Sequence, residues 1–600
     1  MQGLEVTVLL GLAILAGTAL APRLRIATPL LLVVIGLILG FVPELREIQL
    51  PPETVLLLFL PVMLFWESLS TSLRAIRRSL RYIIPMSTLL VVASALAVAG
   101  IATLFGMPWQ IGLLLGAAVA PPDATAVAAL GRLLPERMFM KLKAESLTND
   151  GTALVVYAIA LSLALGDNVT PWSISLLVVL SYLGGAAAGI AVAALAYVTL
   201  RGARSTMVIN VTLLLVPFTA FLAAEMIHAS GVLAVVFAGL IVAWMRDRIT
   251  TAASRRQTWA AWPFGVYLLN GALFVLIGLE VQYVVHDIPG RAVGVLLLVT
   301  VASWVALLVV RYVFQLLFAP FSRPAGGPAF GHHRGRVVST VAGFRGAVSL
   351  AIALSVPSTV GAAGDLSGRD AVVFVTGGVI LLSLLVQGPL LPAVVRWAHL
   401  PDDVAAADEY ELAQRTISGA ALASLDELAA EHGISDDIRD RARREGYERL
   451  ELANARAYAR QSAIDDAQIA EMETLLDEPD APDTGPVDLS TGPVDLSTGA
   501  AGLGTGATRF ALTDPGDGAA AASAGSLQML ATSDGIDLTQ RSPITRFEEA
   551  TRLTLAVLDR KRSVLLRLRR EGTIDDLVAR RIEAHLDLEE VRIRGIEQFD

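Results

Sequence analysis

Cysteine is absent from the 600-residue chain, which excludes disulfides and thiolate-held metals. No nucleophile constellation, glycine-rich phosphate loop or metal-ligand cluster stands out, so neither an enzyme nor a resident cofactor is expected. Basic charge is short as well: 47 lysines and arginines face 56 aspartates and glutamates, for a net charge of −9. That deficit lies in the last third of the chain, and an acidic tail argues against a nucleic-acid partner. The opening MQGLEVTVLLGLAILAGTALAPRLR lacks a basic leader and a small-residue cleavage site after a short apolar core. It reads as a retained first membrane span rather than a signal peptide.

Charge is scarcest where apolar residues are densest. Residues 1–400 hold 16 acidic and 25 basic side chains, net +9, whereas residues 401–600 hold 40 and 22, net −18. Mean hydropathy is +0.61 overall, and that average conceals one part built for a bilayer and another built for water. A hydrocarbon core of about 30 Å takes about 20 helical residues. Thirteen such runs fall near 4–22, 27–43, 54–71, 82–105, 109–131, 145–166, 173–200, 207–226, 229–245, 263–284, 290–311, 338–357 and 371–396.

The loops after odd-numbered runs collect the basic residues, among them Arg74, Arg77, Arg78 and Arg81, then Arg132, Arg137, Lys141 and Lys143, then Arg246, Arg248, Arg255 and Arg256. The loops after even-numbered runs hold only Arg46, Arg291 and Arg369. By the positive-inside rule the N-terminus is outside and the C-terminus is cytoplasmic. The expected fold class is therefore an all-α polytopic membrane protein of about thirteen transmembrane helices, spanning residues 1–400.

Beyond it, residues 401–476 are polar with helical periodicity and read as soluble cytoplasmic helices. Residues 477–540 carry the heptapeptide TGPVDLS twice in tandem within Gly, Pro, Ser and Thr-rich sequence. Such a stretch has too few large apolar groups to bury and is expected to be a disordered linker. Residues 541–600 regain an apolar stripe (Phe547, Leu553, Leu558, Leu565, Leu568), then Glu571-Gly572, then Thr573 with Asp576 three residues on. That pattern predicts a cytoplasmic helical hairpin whose second helix starts from a capping box at Thr573.

Two carboxylates break the apolar rule inside the spans. A charged residue at mid-membrane costs about 2.5–3.5 kcal/mol even on the lenient insertion scale, so Asp123 and Asp150 are candidates for an ion path. Pro121-Pro122 stands directly before Asp123. Two missing donors there should interrupt the fifth span, and interruptions at that depth line cavities. An alternative is a simple proline kink with Asp123 as an N-cap. In the sixth span Glu145 and Asn149 share one helical face, and Ser146 and Asp150 lie one turn apart on the next. Arg345 sits in the twelfth run between Gly343 and Gly346. Arginine keeps its proton, so it needs a buried carboxylate or carbonyls; Glu145 is the preferred partner. Interruptions in spans five and twelve correspond if spans 1–6 and 8–13 are inverted copies.

The strings APPDATAVAAL, ESLTNDGTALVVY and GFRGAVSLAIAL, in that order and at that spacing, resemble the monovalent cation/proton antiporters, the family of bacterial NhaP and the animal sodium/proton exchangers. AEMIHASGVLAVVFAGLIV and LNGALFVLIGLEV also resemble its later spans, so the likeness covers about residues 1–400. The resemblance implies that Asp150 binds cation or proton in turn, that Asn149 steadies the broken helix, and that Asp123 lines the site. It implies a buried ion pair of Glu145 with Arg345. Many members carry Thr before the fifth-span Asp, where this chain has Pro122, so Thr125 or a backbone carbonyl would replace that ligand, with Ser146 completing an oxygen set. Asn at position 149 implies electroneutral exchange.

The expected function is thus secondary antiport of cytoplasmic Na+, or Li+ or K+, against external H+ across the plasma membrane, serving pH and sodium homeostasis. A K+/H+ antiporter of the same fold and an ion-sensing receptor signalling through the tail are the alternatives. Partners implied are membrane lipid, a second copy as homodimer, and an unidentified regulator of the tail. His332 and His333 read as a solvated loop pair.

Overall fold

The computed structural model describes residues 2–24, 26–42, 55–123, 127, 134–166, 170–203, 205–288, 290–318, 333–357, 360, 368–400, 404–476 and 542–597. Every element among the described residues is helical. Thr125, His332, the 477–540 stretch and most of the second half of the fifth run lie outside them.

Among the described residues, eight helices are long and apolar enough to cross a membrane, and four shorter apolar helices accompany them. The elements that frame the site are α1 (Gln2–Leu24), α2 (Thr28–Leu39), α3 (Leu60–Leu69), α4 (Leu73–Ser87), α5 (Leu89–Leu104), α6 (Trp109–Val119) and α7 (Glu136–Leu165). They continue with α8 (Pro171–Leu200), α9 (Thr206–Glu225), α10 (Gly231–Ile249), α11 (Ala252–Asp287) and α12 (Gly290–Phe318). Next come two short helices, α13 (His333–Val341) and α14 (Ala347–Leu354), and the long α15 (Gly368–Ala398). Polar helices α16 (Val404–Ala423), α17 (Leu425–Glu431), α18 (Asp436–Leu476), α19 (Pro543–Glu571) and α20 (Asp576–Glu597) follow. Outward-facing Leu96, Leu195, Leu214 and Leu298 are each about half exposed, the surface a lipid bath requires.

Two apolar clusters organise this part. One joins residues of α1, α2, α5, α6, α11, α12, α14 and α15. The other joins α3, α4, α8, α9 and α10. Helix α7 serves both, sending Leu142 and Ala153 into the first and Ala144 and Leu147 into the second. The residues between them on α7, Glu145 to Asp150, are thereby pinned at the seam.

Lipid offers no hydrophobic drive for helix association, so close backbone approach matters. At the α2–α11 crossing a Cβ on Gly278 would stand 2.2 Å from the Val33 carbonyl oxygen, and one on Gly36 would stand 2.1 Å from that of Val275. Only glycine permits this contact.

The chain packs into two compact units, Met1–Ala413 with Arg562–Asp600, and Gln414–Lys561. Within the second, Leu425, Ala429, Ile438 and Leu553 form a small core, and the Ser435 N–H and hydroxyl both donate to the Glu549 carboxylate, at 3.1 and 2.6 Å. Within the first, α20 lies against the apolar helices. Its start differs from the capping box expected at Thr573. Gly572 adopts φ +78° and the Thr573 N–H donates to Leu568 O at 3.1 Å, so Thr573 belongs to the end of the preceding helix. Asp575 takes the cap, its carboxylate accepting from the Leu577 N–H at 3.0 Å.

Candidate cation site

Two stretches of non-helical backbone meet at the centre of the first unit. Helix α6 stops at Val119, and Pro121, Pro122 and Asp123 that follow are not helical. Proline has no N–H to continue the ladder and restricts the residue before it. The second stretch, Ala342 to Gly346, separates α13 from α14. The Asp123 N–H donates to Phe344 O at 2.8 Å, stitching one interruption to the other. Contact there is so close that a Cβ on Gly346 would fall 1.6 Å from Asp123 Oδ2. The carboxylate therefore rests against the N-terminal end of α14, where unpaired N–H groups favour negative charge.

Helix α7 supplies the rest without a break of its own. Glu145, Ser146, Asn149 and Asp150 are all buried. Asn149 Nδ2 donates to Pro122 O at 3.0 Å, occupying a carbonyl that the proline break leaves free. Its Oδ1 is buried without a hydrogen-bond partner. Asp150 lies near enough to Asp123 to feel its charge, and also to feel that of Glu67 on α3. Carboxyls gathered where there is little water favour an accompanying positive charge or a proton, and Glu67 has Lys143 near it.

The ion pair differs from the one expected. Glu145, with no solvent exposure, is held by Arg311 of α12, whose Nη1 and Nη2 donate to the two carboxylate oxygens at 2.5 and 3.1 Å. Arg311 Nε also donates to Ser339 O at 3.0 Å, so the guanidinium joins α7, α12 and α13. Arg345 sits in the interruption itself: its N–H donates to Ser383 Oγ at 3.3 Å and its Nη1 to Gly343 O at 3.2 Å. Its Nε is buried without a partner. The physical reason is reach. The Arg345 guanidinium donates to the Gly343 carbonyl at the break, whereas Arg311 projects its fork from an intact helix to Glu145 on α7.

Glu67 and Lys143 also escaped the sequence reading. Both line a cavity of about 320 Å³ with Trp66, Phe139, Tyr267 and Asn270. Glu67 lay inside an apolar run, a signal as open to the charge-burial argument as Asp150. Lys143 was taken for a loop residue but belongs to α7, with Nζ donating to Ser70 Oγ at 2.6 Å. His333 is exposed and lies 2.8 Å from the Tyr312 hydroxyl.

A polytopic helical membrane protein with buried carboxylates beside interrupted helices has the build of an ion carrier. The transmembrane sodium/hydrogen exchanger family matches residues 10–397, and the chain belongs to that family. It is 34% identical to the uncharacterized Na(+)/H(+) exchanger Rv2287 of Mycobacterium tuberculosis, over 98% of this chain and 96% of the relative. It is 30% identical to the Na(+)/H(+) antiporter ApNhaP of Aphanothece halophytica, over 67% of this chain and 75% of that one. Its fold is similar to the sodium proton antiporter MjNhaP1 of Methanocaldococcus jannaschii, with a TM-score of 0.52 at 18% identity, covering 66% of this chain and 99% of that one. The chain is thus a multi-pass membrane transporter of the exchanger type.

Proposed function

We propose that the chain is an electroneutral antiporter carrying cytoplasmic Na+ out against external H+ at the plasma membrane, with Li+ and K+ as further cargoes. Eight long spans, four short apolar helices and the α13–α14 pair support thirteen crossings, arranged as inverted repeats interrupted in the fifth and twelfth. The N-terminus then faces outward and the tail lies in the cytoplasm. Two copies associate in the bilayer.

The observation that carries this reading is the crossing of the two interruptions beside Asp150, with Glu145 already balanced by Arg311. Because that pair is internally neutral, Asp150 is left to exchange partners. It holds Na+ on one stroke and H+ on the other, so each stroke moves the same charge. Asp123, Asn149, Ser146 and Thr125 complete the site, with Glu67 on its approach. Competition for one carboxylate couples the two fluxes provided the empty ionised site does not cross. That condition follows from the cost of an unaccompanied charge in low dielectric. Alternating loads of this kind adjust internal pH and sodium together.

Purified protein in liposomes tests this: Na+, Li+ or K+ added outside should dissipate an imposed pH gradient, and Asp150→Asn should not. Folded protein that answers to no alkali cation would overturn the antiport reading in favour of an ion sensor. Response to K+ alone would select the K+/H+ alternative.

A further inference from the structure

The cavity that Glu67 lines is also lined by an amine, that of Lys143. Lys143 and Glu67 face the same 320 Å³ space, each within the electrostatic reach of the other. The ammonium has a defined anchor, donating to Ser70 Oγ at 2.6 Å. That anchor is itself held. Ser70 Oγ donates to Trp66 O at 2.7 Å, and the next two residues are gripped by α20. Arg580 Nη2 donates to Thr71 O at 2.7 Å, and Ser72 Oγ donates to the Asp576 carboxylate. Asp576 in turn receives Arg569 Nε at 2.8 Å. Nothing in a requirement for packing demands a lysine here. A half-buried ammonium carries a desolvation cost, and an apolar residue would suit a cavity walled by Trp66, Phe139 and Phe274.

We infer that Lys143 is a tethered competitor of the transported cation, placed beside Glu67 by Ser70 and by the last helix of the chain so as to weaken cation affinity at the site's approach. Lys143 is a positioning residue in this role, acting on the cargo through the charge of Glu67. An arriving Na+ meets a carboxylate whose field is already partly cancelled. Weak binding suits a carrier, because a cation held too tightly does not leave. The grip of α20 on Thr71 and Ser72 means that the tail's last helix sets where the competitor stands. This inference rests on the antiport reading given above.

The experiment is cation-dependent exchange in proteoliposomes, resolved into apparent KM for Na+ and maximal rate. Lys143→Met should lower KM by about tenfold, the effect of removing one nearby screened charge, with the maximal rate unchanged or reduced. Lys143→Arg keeps the charge and should restore a KM close to that of the unmodified protein. Ser70→Ala frees the ammonium and should also lower KM, by a smaller factor. If Lys143→Met does not fold, Ser70→Ala decides alone. Unmodified protein that exchanges normally, beside variants whose KM does not move, overturns the role of Lys143 and leaves antiport intact. Unmodified protein without any exchange overturns antiport itself.

Discussion

Arg311→Met removes one partner of a pair in which Glu145 has no exposure and Arg311 only 2%. Four hydrogen bonds go with it: two to the Glu145 carboxylate, one to Ser339 O and a long one to Ser339 Oγ. Breaking a buried pair from one side costs about 3–5 kcal/mol, because the remaining charge is left without compensation. Glu145→Gln should also destabilise, by less, since Arg311 keeps its bond to Ser339. The double variant Glu145→Gln with Arg311→Met removes both charges and should recover much of the loss, giving a coupling of about 2 kcal/mol or more. Equilibrium unfolding in mixed micelles, followed by tryptophan fluorescence, measures each corner of the cycle. The parallel cycle with Arg345→Met should show weaker coupling to Glu145, because Arg345 donates to Gly343 O instead. Coupling within about 0.5 kcal/mol of zero for Arg311, or coupling to Arg345 that exceeds it, would refute the assignment.

Three further outcomes are expected. Gly346→Ala drives a methyl into the Asp123 carboxylate and should abolish exchange while costing about 1–3 kcal/mol of stability; wild-type transport rates would contradict the crossing geometry. Gly278→Ala should separate α2 from α11, since its Cβ meets the Val33 carbonyl, and should lower the unfolding midpoint; an unchanged midpoint would refute the close approach. Asp587→Asn weakens the bond from Arg255 Nε, which is 2.7 Å long. Loss of a charged hydrogen bond costs about 1.5–3 kcal/mol, and faster amide exchange along α20 without a change in α7 should report it.

Much of the fold could be read from hydropathy, since the described parts of the apolar runs are largely helical, with non-helical stretches at 120–123 and 342–346. The proline pair announced where α6 must stop, and the charge-burial argument singled out Asp123 and Asp150 as candidates. The pairing of Glu145 could not be read the same way. Helical periodicity gives the face a residue occupies but not which helix lies opposite, and the apolar run 290–311 ends at Arg311, so nothing in it singled that residue out. Helix α12 continues to Phe318, so that arginine lies two turns inside its end. Lys143 was misjudged for the same reason: the sixth helix begins at Glu136, earlier than its hydropathy suggests, and takes the lysine with it. The cap of α20 slipped from Thr573 to Asp575 because a glycine in the left-handed region extends the end of the preceding helix.

The bond from the Asp123 N–H to Phe344 O has a thermodynamic corollary. It ties the two interruptions backbone to backbone, and Asn149 adds a second tie to Pro122 O. As the proposed cation-binding groups, Asp123 and Asn149 fastened in this way should keep the same spacing whichever side of the bilayer they face. The intrinsic affinities on the two sides should then be nearly equal, so that the kinetics of outward and inward exchange are alike. Sodium moves outward or inward solely according to the two gradients, and reversing them should run the exchange backwards at a comparable rate.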